Sequence, residues 1–180
     1  KLPDTLTIIN NYTFYNCLGL SSEGTLKIPD SIEQIGDYAF YNWTTITKLD
    51  LGLNLTKIGS HSFYECPKIN EITFNELLLI IGDFAFSGCA ITSLKFKSNL
   101  TEIGNYAFAN CASLSQSDFK FPEFLMIIGD YAFKDCSELT INIDLSSTNL
   151  TTIGEDPFDG CKLSGTLKLP NTLETISRRA

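Results

Sequence analysis

The chain has one histidine, one methionine and one tryptophan in 180 residues. A single imidazole, beside cysteines at spacings wrong for zinc, disfavours a zinc site. His61 also lacks a Cys or Ser partner at any spacing that selects a nucleophile and base, so it is no catalytic base. No apolar run approaches the roughly 20 residues that a membrane-spanning helix requires. Positive charge is scarce as well: 13 Lys and Arg stand against 21 Asp and Glu, for a net charge of −8 and a pI near 4.6. That balance argues against nucleic acid, which needs clustered basic residues, and against attraction to anionic lipid. Methionine scarcity beside 13 Phe points to a β-rich, well-specified interior. The chain opens at Lys1-Leu2-Pro3 without a visible signal peptide. The expectation is a processed N-terminus or a piece of a longer polypeptide.

What is abundant is repetition. Ile35-Gly36-Asp37-Tyr38-Ala39-Phe40-Tyr41-Asn42-Trp43 recurs as Ile58 to Cys66, Ile81 to Cys89, Ile103 to Cys111, Ile128 to Cys136 and Ile153 to Cys161, with a looser copy at Ile9 to Cys17. Its Phe falls at 14, 40, 63, 86, 108, 133 and 158, in steps of 26, 23, 23, 22, 25 and 25. A period of that size means a solenoid, whose turns bury their apolar faces only by stacking. The expected organisation is one array, 1–180, of about seven turns with no polar cap at either end and a departure from the pattern at 177–180. Free ends expose core and strand edges, so self-association through them is one expectation.

Each turn carries a second element, an apolar-polar-apolar triplet such as Ile72-Thr73-Phe74, whose period of two predicts a short half-buried strand. One such strand per turn predicts a parallel sheet running along the solenoid. Pro29, Pro122 and Pro170 follow their triplets and end those strands. The residues after Ile (Gly, or Asn10) and before the Cys phase (Asn, Asp and Gly, but Glu65 once) suit corners at positive φ. The span between them fits a turn or a short 3₁₀ piece. Longer turns predict loops at 18–25 and 112–118, and two extra residues in 139–147.

Six cysteines, 17, 66, 89, 111, 136 and 161, occupy one phase of the repeat. This predicts a ladder of buried free thiols, with Trp43 as an apolar replacement. Rungs about 5 Å apart fall within disulfide range, though parallel Cβ directions oppose bonding. Glu155, Asp156 and Asp159 lack the alternation of a calcium loop and read as a solvated corner.

The combination Leu-x-x-Ile-Gly-x-x-Ala-Phe-x-x-Cys, preceded by Leu-x-x-Ile-x-Ile/Leu-Pro, resembles the BspA-type (Treponema-type) leucine-rich repeat over almost the whole chain. The resemblance implies a right-handed superhelix with a parallel sheet on its concave side and short 3₁₀ or turn segments on the convex side. Asn10, Trp43 and the missing prolines depart from the pattern without affecting the fold. It implies no catalytic residue and no cofactor. It also implies a surface protein that binds host or matrix proteins, and hence secretion or cell-surface display.

The concave face should expose Lys27, Lys48, Asp50, Glu71, Thr73, Lys95, Lys120, Asn142, Asp144 and Lys168 to a protein partner, or form a merely solvated sheet. A second candidate is the aromatic row Tyr12, Tyr15, Tyr38, Tyr41 and Tyr64, read either as a binding patch or as rings that stack and cover the core. Asn11, Asn42, Asn54, Asn99 and Asn149 open glycosylation sequons. The expected function is non-enzymatic protein binding in adhesion. The alternative is a structural scaffold or filament built by end-to-end stacking.

Overall fold

The computed structural model describes residues 2–17, 24–116 and 119–180. The expected loop at 18–25 lies largely outside the described residues, as do positions 117 and 118 of the loop at 112–118. In chain order the strands are β1 (Ile8–Ile9), β2 (Gly24–Lys27), β3 (Gln34–Ile35), β4 (Ile46–Asp50), β5 (Lys57–Ile58), β6 (Glu71–Thr73), β7 (Ile80–Ile81), β8 (Glu102–Ile103), β9 (Ile127–Ile128), β10 (Thr140–Asp144), β11 (Thr152–Ile153), β12 (Lys162–Lys168) and β13 (Thr175–Ile176). Every pairing is parallel. The result is a β-solenoid of about seven turns, with turns rather than helices at its corners among the described residues.

The sheet that runs the full length is not the one expected. It joins β1, β3, β5, β7, β8, β9, β11 and β13, the two-residue strands that end on the Ile before each corner. The triplets instead form two separate patches, β2-β4-β6 and β10-β12. In the fifth turn the N–H of Leu94 donates to Gln116 Oε1 at 2.7 Å, drawing that segment out of the triplet ladder.

Two columns of side chains fill the interior. Ile9, Ile35, Ile58, Ile81, Ile103, Ile128 and Ile153 pair in register and are buried. Beside them Phe40, Phe63, Phe86, Phe108 and Phe133 are fully buried and stack with centroids 5.1–5.4 Å apart and planes within 13°. The amide of each of these Phe residues donates to a carbonyl of the next turn at 2.8–2.9 Å, so side-chain stacking and backbone pairing share one spacing.

Both corner phases need explanation, and only one behaves as expected. The residue before the Cys phase has positive φ in all seven turns, from Asn16 at 54° to Gly88 and Gly160 at 78°. Even Glu65 takes 55° there. The glycine after Ile does not have positive φ. It is glycine because a Cβ at Gly104 would lie 2.6 Å from Asp83 Oδ1 and 2.7 Å from its backbone N. The second positive-φ position falls instead on bulky residues: Tyr12, Tyr38, His61, Phe84, Tyr106 and Tyr131, all at 54–59°. That conformation costs an L-residue about 1–2 kcal/mol. These rings stack along the solenoid at 4.5–5.0 Å, which offsets the strain.

Residues 177–180, expected to depart from the pattern, follow its backbone course. Ser177 stands in the glycine phase and its N–H donates to Ile153 O at 2.9 Å. Arg179 takes φ 58° at the phase of the tyrosines.

Phe86→Ala opens a cavity in the middle of the buried column and should cost about 3–5 kcal/mol in denaturant unfolding. Gly104→Ala, forced against backbone, should cost about 1–3 kcal/mol. Gly88→Asn, at a phase where asparagine already sits elsewhere, should stay within about 1 kcal/mol of wild type.

Candidate functional site

The ten residues expected on one polar face fall into three groups. Lys27, Asp50 and Thr73 align in register across β2, β4 and β6, with Lys48 opposite Glu71 in the row beside them. Asn142 and Asp144 lie on β10, and Lys168 on β12 faces Asp144. Lys95 and Lys120 lie between the two patches, on backbone outside any strand. Much of the charge is neutralised within the face: Lys48 pairs with Glu71 at 2.7 Å and Lys168 with Asp144 at 2.6 Å. The Lys168 ammonium, helped by the Ser146 hydroxyl, lowers the Asp144 carboxyl to about 2.

The tyrosine row divides into two stacks. Tyr12–Tyr38 at 5.0 Å continues into His61, and Tyr15–Tyr41–Tyr64 runs parallel at 4.8 and 5.6 Å. Stacking occupies the ring faces, so edges and hydroxyls are what the inner rings present. A sugar binds aromatic residues through ring faces, and only Tyr12 and Tyr15 at the head of each stack are strongly exposed. Burial lowers the His61 pKa, and its Nδ1 is buried without a partner. The ring is a rung of the stack.

The sequons have partners within the frame. Asn11 Oδ1 accepts the Asp37 N–H at 2.8 Å, Asn42 sits at φ 58° and donates to Asn16, and Asn99 donates to Glu76 O at 2.7 Å. The hydroxyls of Thr56, Thr101 and Thr151 donate to carbonyls of the preceding turn at 3.0–3.2 Å. Asn54 and Asn149 are exposed. The acidic corner is paired with the neighbouring turns: Glu155 with Arg178 at 2.5 Å, Asp156 with Arg179 at 3.7 Å, and Asp159 with Lys134.

The cysteines are free. Each thiol from Cys66 onward donates to the carbonyl of the preceding turn's Phe, at 3.1–3.3 Å. Trp43 is therefore more than an apolar replacement: its indole N–H donates to Phe14 O at 2.7 Å, the same role. Burial pushes the Cys66 thiol up to about 12 and Cys89 well above the ordinary range. Cys136 and Cys161 are raised chiefly by hydrogen bonding to the preceding thiol, Cys111 and Cys136 respectively.

A further ladder escaped the sequence reading. Side-chain oxygens of Asn11, Asp37, Asp83, Asn105 and Asp130 each accept an N–H from the next turn at 2.7–2.8 Å. The signal was the Asp or Asn that recurs directly after the glycine phase.

Residues 1–115 and 112–180 match the family model described as a BspA type leucine rich repeat region, in six copies. No curated protein matches the chain. Among solved structures, a leucine-rich repeat protein from Bacteroides ovatus is similar at TM-score 0.75 and 24% identity, over 93% of this chain and 42% of that one. The T. pallidum leucine rich repeat protein is similar at 0.65 and 22%, over 91% and 75%. The pneumococcal vaccine antigen PcpA is similar at 0.50 and 18%, over 83% and 35%. The chain thus spans about two fifths of the Bacteroides protein. At these identities the likeness concerns the fold.

The thiol ladder predicts resistance to labelling, because the nucleophile is the thiolate. A disulfide-exchange reagent at pH 8 should leave Cys66, Cys89 and Cys136, with their raised thiols, and Cys111, by its complete burial, unmodified in the native protein, and all six cysteines should react in denaturant. Native labelling should become faster as pH rises.

Proposed function

The chain belongs to the BspA-type leucine-rich-repeat family, and from that membership we propose that it is a non-catalytic, protein-binding module that acts in adhesion at a cell surface or in a secreted protein. The triplet face is its binding surface. The observation that carries this reading is a division of labour. Ile, Phe, Cys and Asx columns and the long sheet consume the frame's hydrogen bonds, while residues such as Thr73, Lys95 and Lys120 belong to no column and are exposed. A rigid frame that presents free polar side chains binds without a large ordering cost. That one similar structure is a vaccine antigen fits a protein reachable from outside the cell. Partners of this kind include extracellular-matrix and host-surface proteins.

The test is surface plasmon resonance against a panel of matrix proteins. Saturable binding should be seen and should be lost in Thr73→Arg/Asn142→Arg, with circular dichroism unchanged. Binding that survives this double substitution would refute the triplet face as the interaction surface. A concentration-dependent rise in mass by light scattering, with no binding to any matrix protein, would favour the scaffold alternative.

A further inference from the structure

The triplet face is interrupted at one stretch, and two of its three lysines outside the ion pairs of Lys48, Lys97 and Lys168 lie there; the third, Lys27 on β2, shares its recess with the carboxylates of Asp4 and Asp30. β6 ends its patch without a strand beside it, because Leu94 gives its N–H to Gln116 and the next strand on this face, β10, belongs to the seventh turn. A recess of about 380 Å³ opens beside the edge of β6, lined by Ile72, Phe74, Ser93 and Lys95 together with Glu71, whose charge is met by Lys48. Further along, a second recess of about 260 Å³ is lined by Phe119, Lys120, Phe121 and Asn142 together with Asp144, whose charge is met by Lys168. Lys48, Lys97 and Lys168 are engaged by Glu71, Glu76 and Asp144. Lys95 and Lys120 have no carboxylate partner among the described residues.

We propose that this interruption is a docking site for an acidic, extended segment of a partner protein, with Lys95 and Lys120 as its ion-pairing residues. The inference rests on the triplet face being the binding surface and adds the chemistry of the partner. Charge complementarity sets the sign. The whole molecule carries −8, so an acidic chain is repelled generally and attracted only where cations stand unpaired. The apolar linings favour a polypeptide over a sulfated glycan, since side chains between the acidic residues have the half-buried Ile72 and Phe121 to cover. Position in the fold favours an extended ligand, because the two recesses lie along the solenoid axis on consecutive turns.

Fluorescence anisotropy with a fluorescein-labelled hexaglutamate peptide tests the proposal. Binding should saturate and should weaken as salt is added. Lys95→Glu/Lys120→Glu should weaken it by about tenfold or more. Lys57→Glu/Lys134→Glu makes the same charge change on the long sheet and at a corner, away from the triplet face, and should leave binding near wild type. Lys95→Gln/Lys120→Gln removes the cations without adding repulsion, and melting curves confirm folding. The proposal is overturned if both charge-reversal pairs weaken binding equally, if neither does, or if heparin binds and hexaglutamate does not. Hexaglutamate failing while a matrix protein still binds in a Thr73- and Asn142-dependent way would sink this inference alone. Failure of both would sink the protein-binding reading with it.

Discussion

Backbone hydrogen bonding between neighbouring turns governs everything else in this molecule. A corner such as Gly82 to Gly88 satisfies only alternate amides within itself, those of Ala85 and Ser87, so those of Phe84, Phe86 and Gly88 reach into the next turn, at Asn105, Ala107 and Ala109. Buried backbone groups left unpaired would each cost on the order of 1–3 kcal/mol. The separation of the turns is thereby fixed, and side chains are accepted or rejected by whether they suit it. Planar rings do, and Phe63 on Phe86 at 5.3 Å with planes 2° apart is one instance. A Cβ in the glycine phase does not suit it.

The same constraint explains residues that look wrong for their backbone. Tyrosine and phenylalanine at φ near 55° are poor local choices. Stacking recovers the cost, from both sides for Tyr38, His61, Phe84 and Tyr106 and from one side for Tyr12 and Tyr131. Trp43 makes a similar point at the cysteine phase. What that phase demands is a small set of donors aimed at the preceding Phe carbonyl, and an indole satisfies the demand as well as a thiol. Pro157, in the alanine phase, is tolerated because the next requirement there is an acceptor, and its carbonyl receives the Phe133 N–H.

Much of this was legible in the residues themselves. Ile, Phe and Cys recur at fixed phases, and their columns follow directly from a stacked period. Which strand set would run uninterrupted was not legible. A three-residue alternation shows which side chains turn inward but says nothing about whether the neighbouring turn completes the ladder. That outcome depended on Gln116, a polar side chain on an extended turn, capturing the amide of Leu94. The role of glycine was misjudged because the residue is permissive for two different reasons, and only coordinates distinguish φ from close approach. The aromatic row was recognised, but its ring faces proved to be occupied by one another, a geometry that spacing alone does not specify.

The outward position at the centre of each triplet is filled by Lys27, Asp50, Thr73, Lys95, Lys120, Asp144 and Lys168, an assortment with no common size or charge. None of the columns beneath depends on which residue stands there. The scaffold therefore separates what must be invariant from what is free to drift. Its outward chemistry can change one substitution at a time, with little penalty in folding.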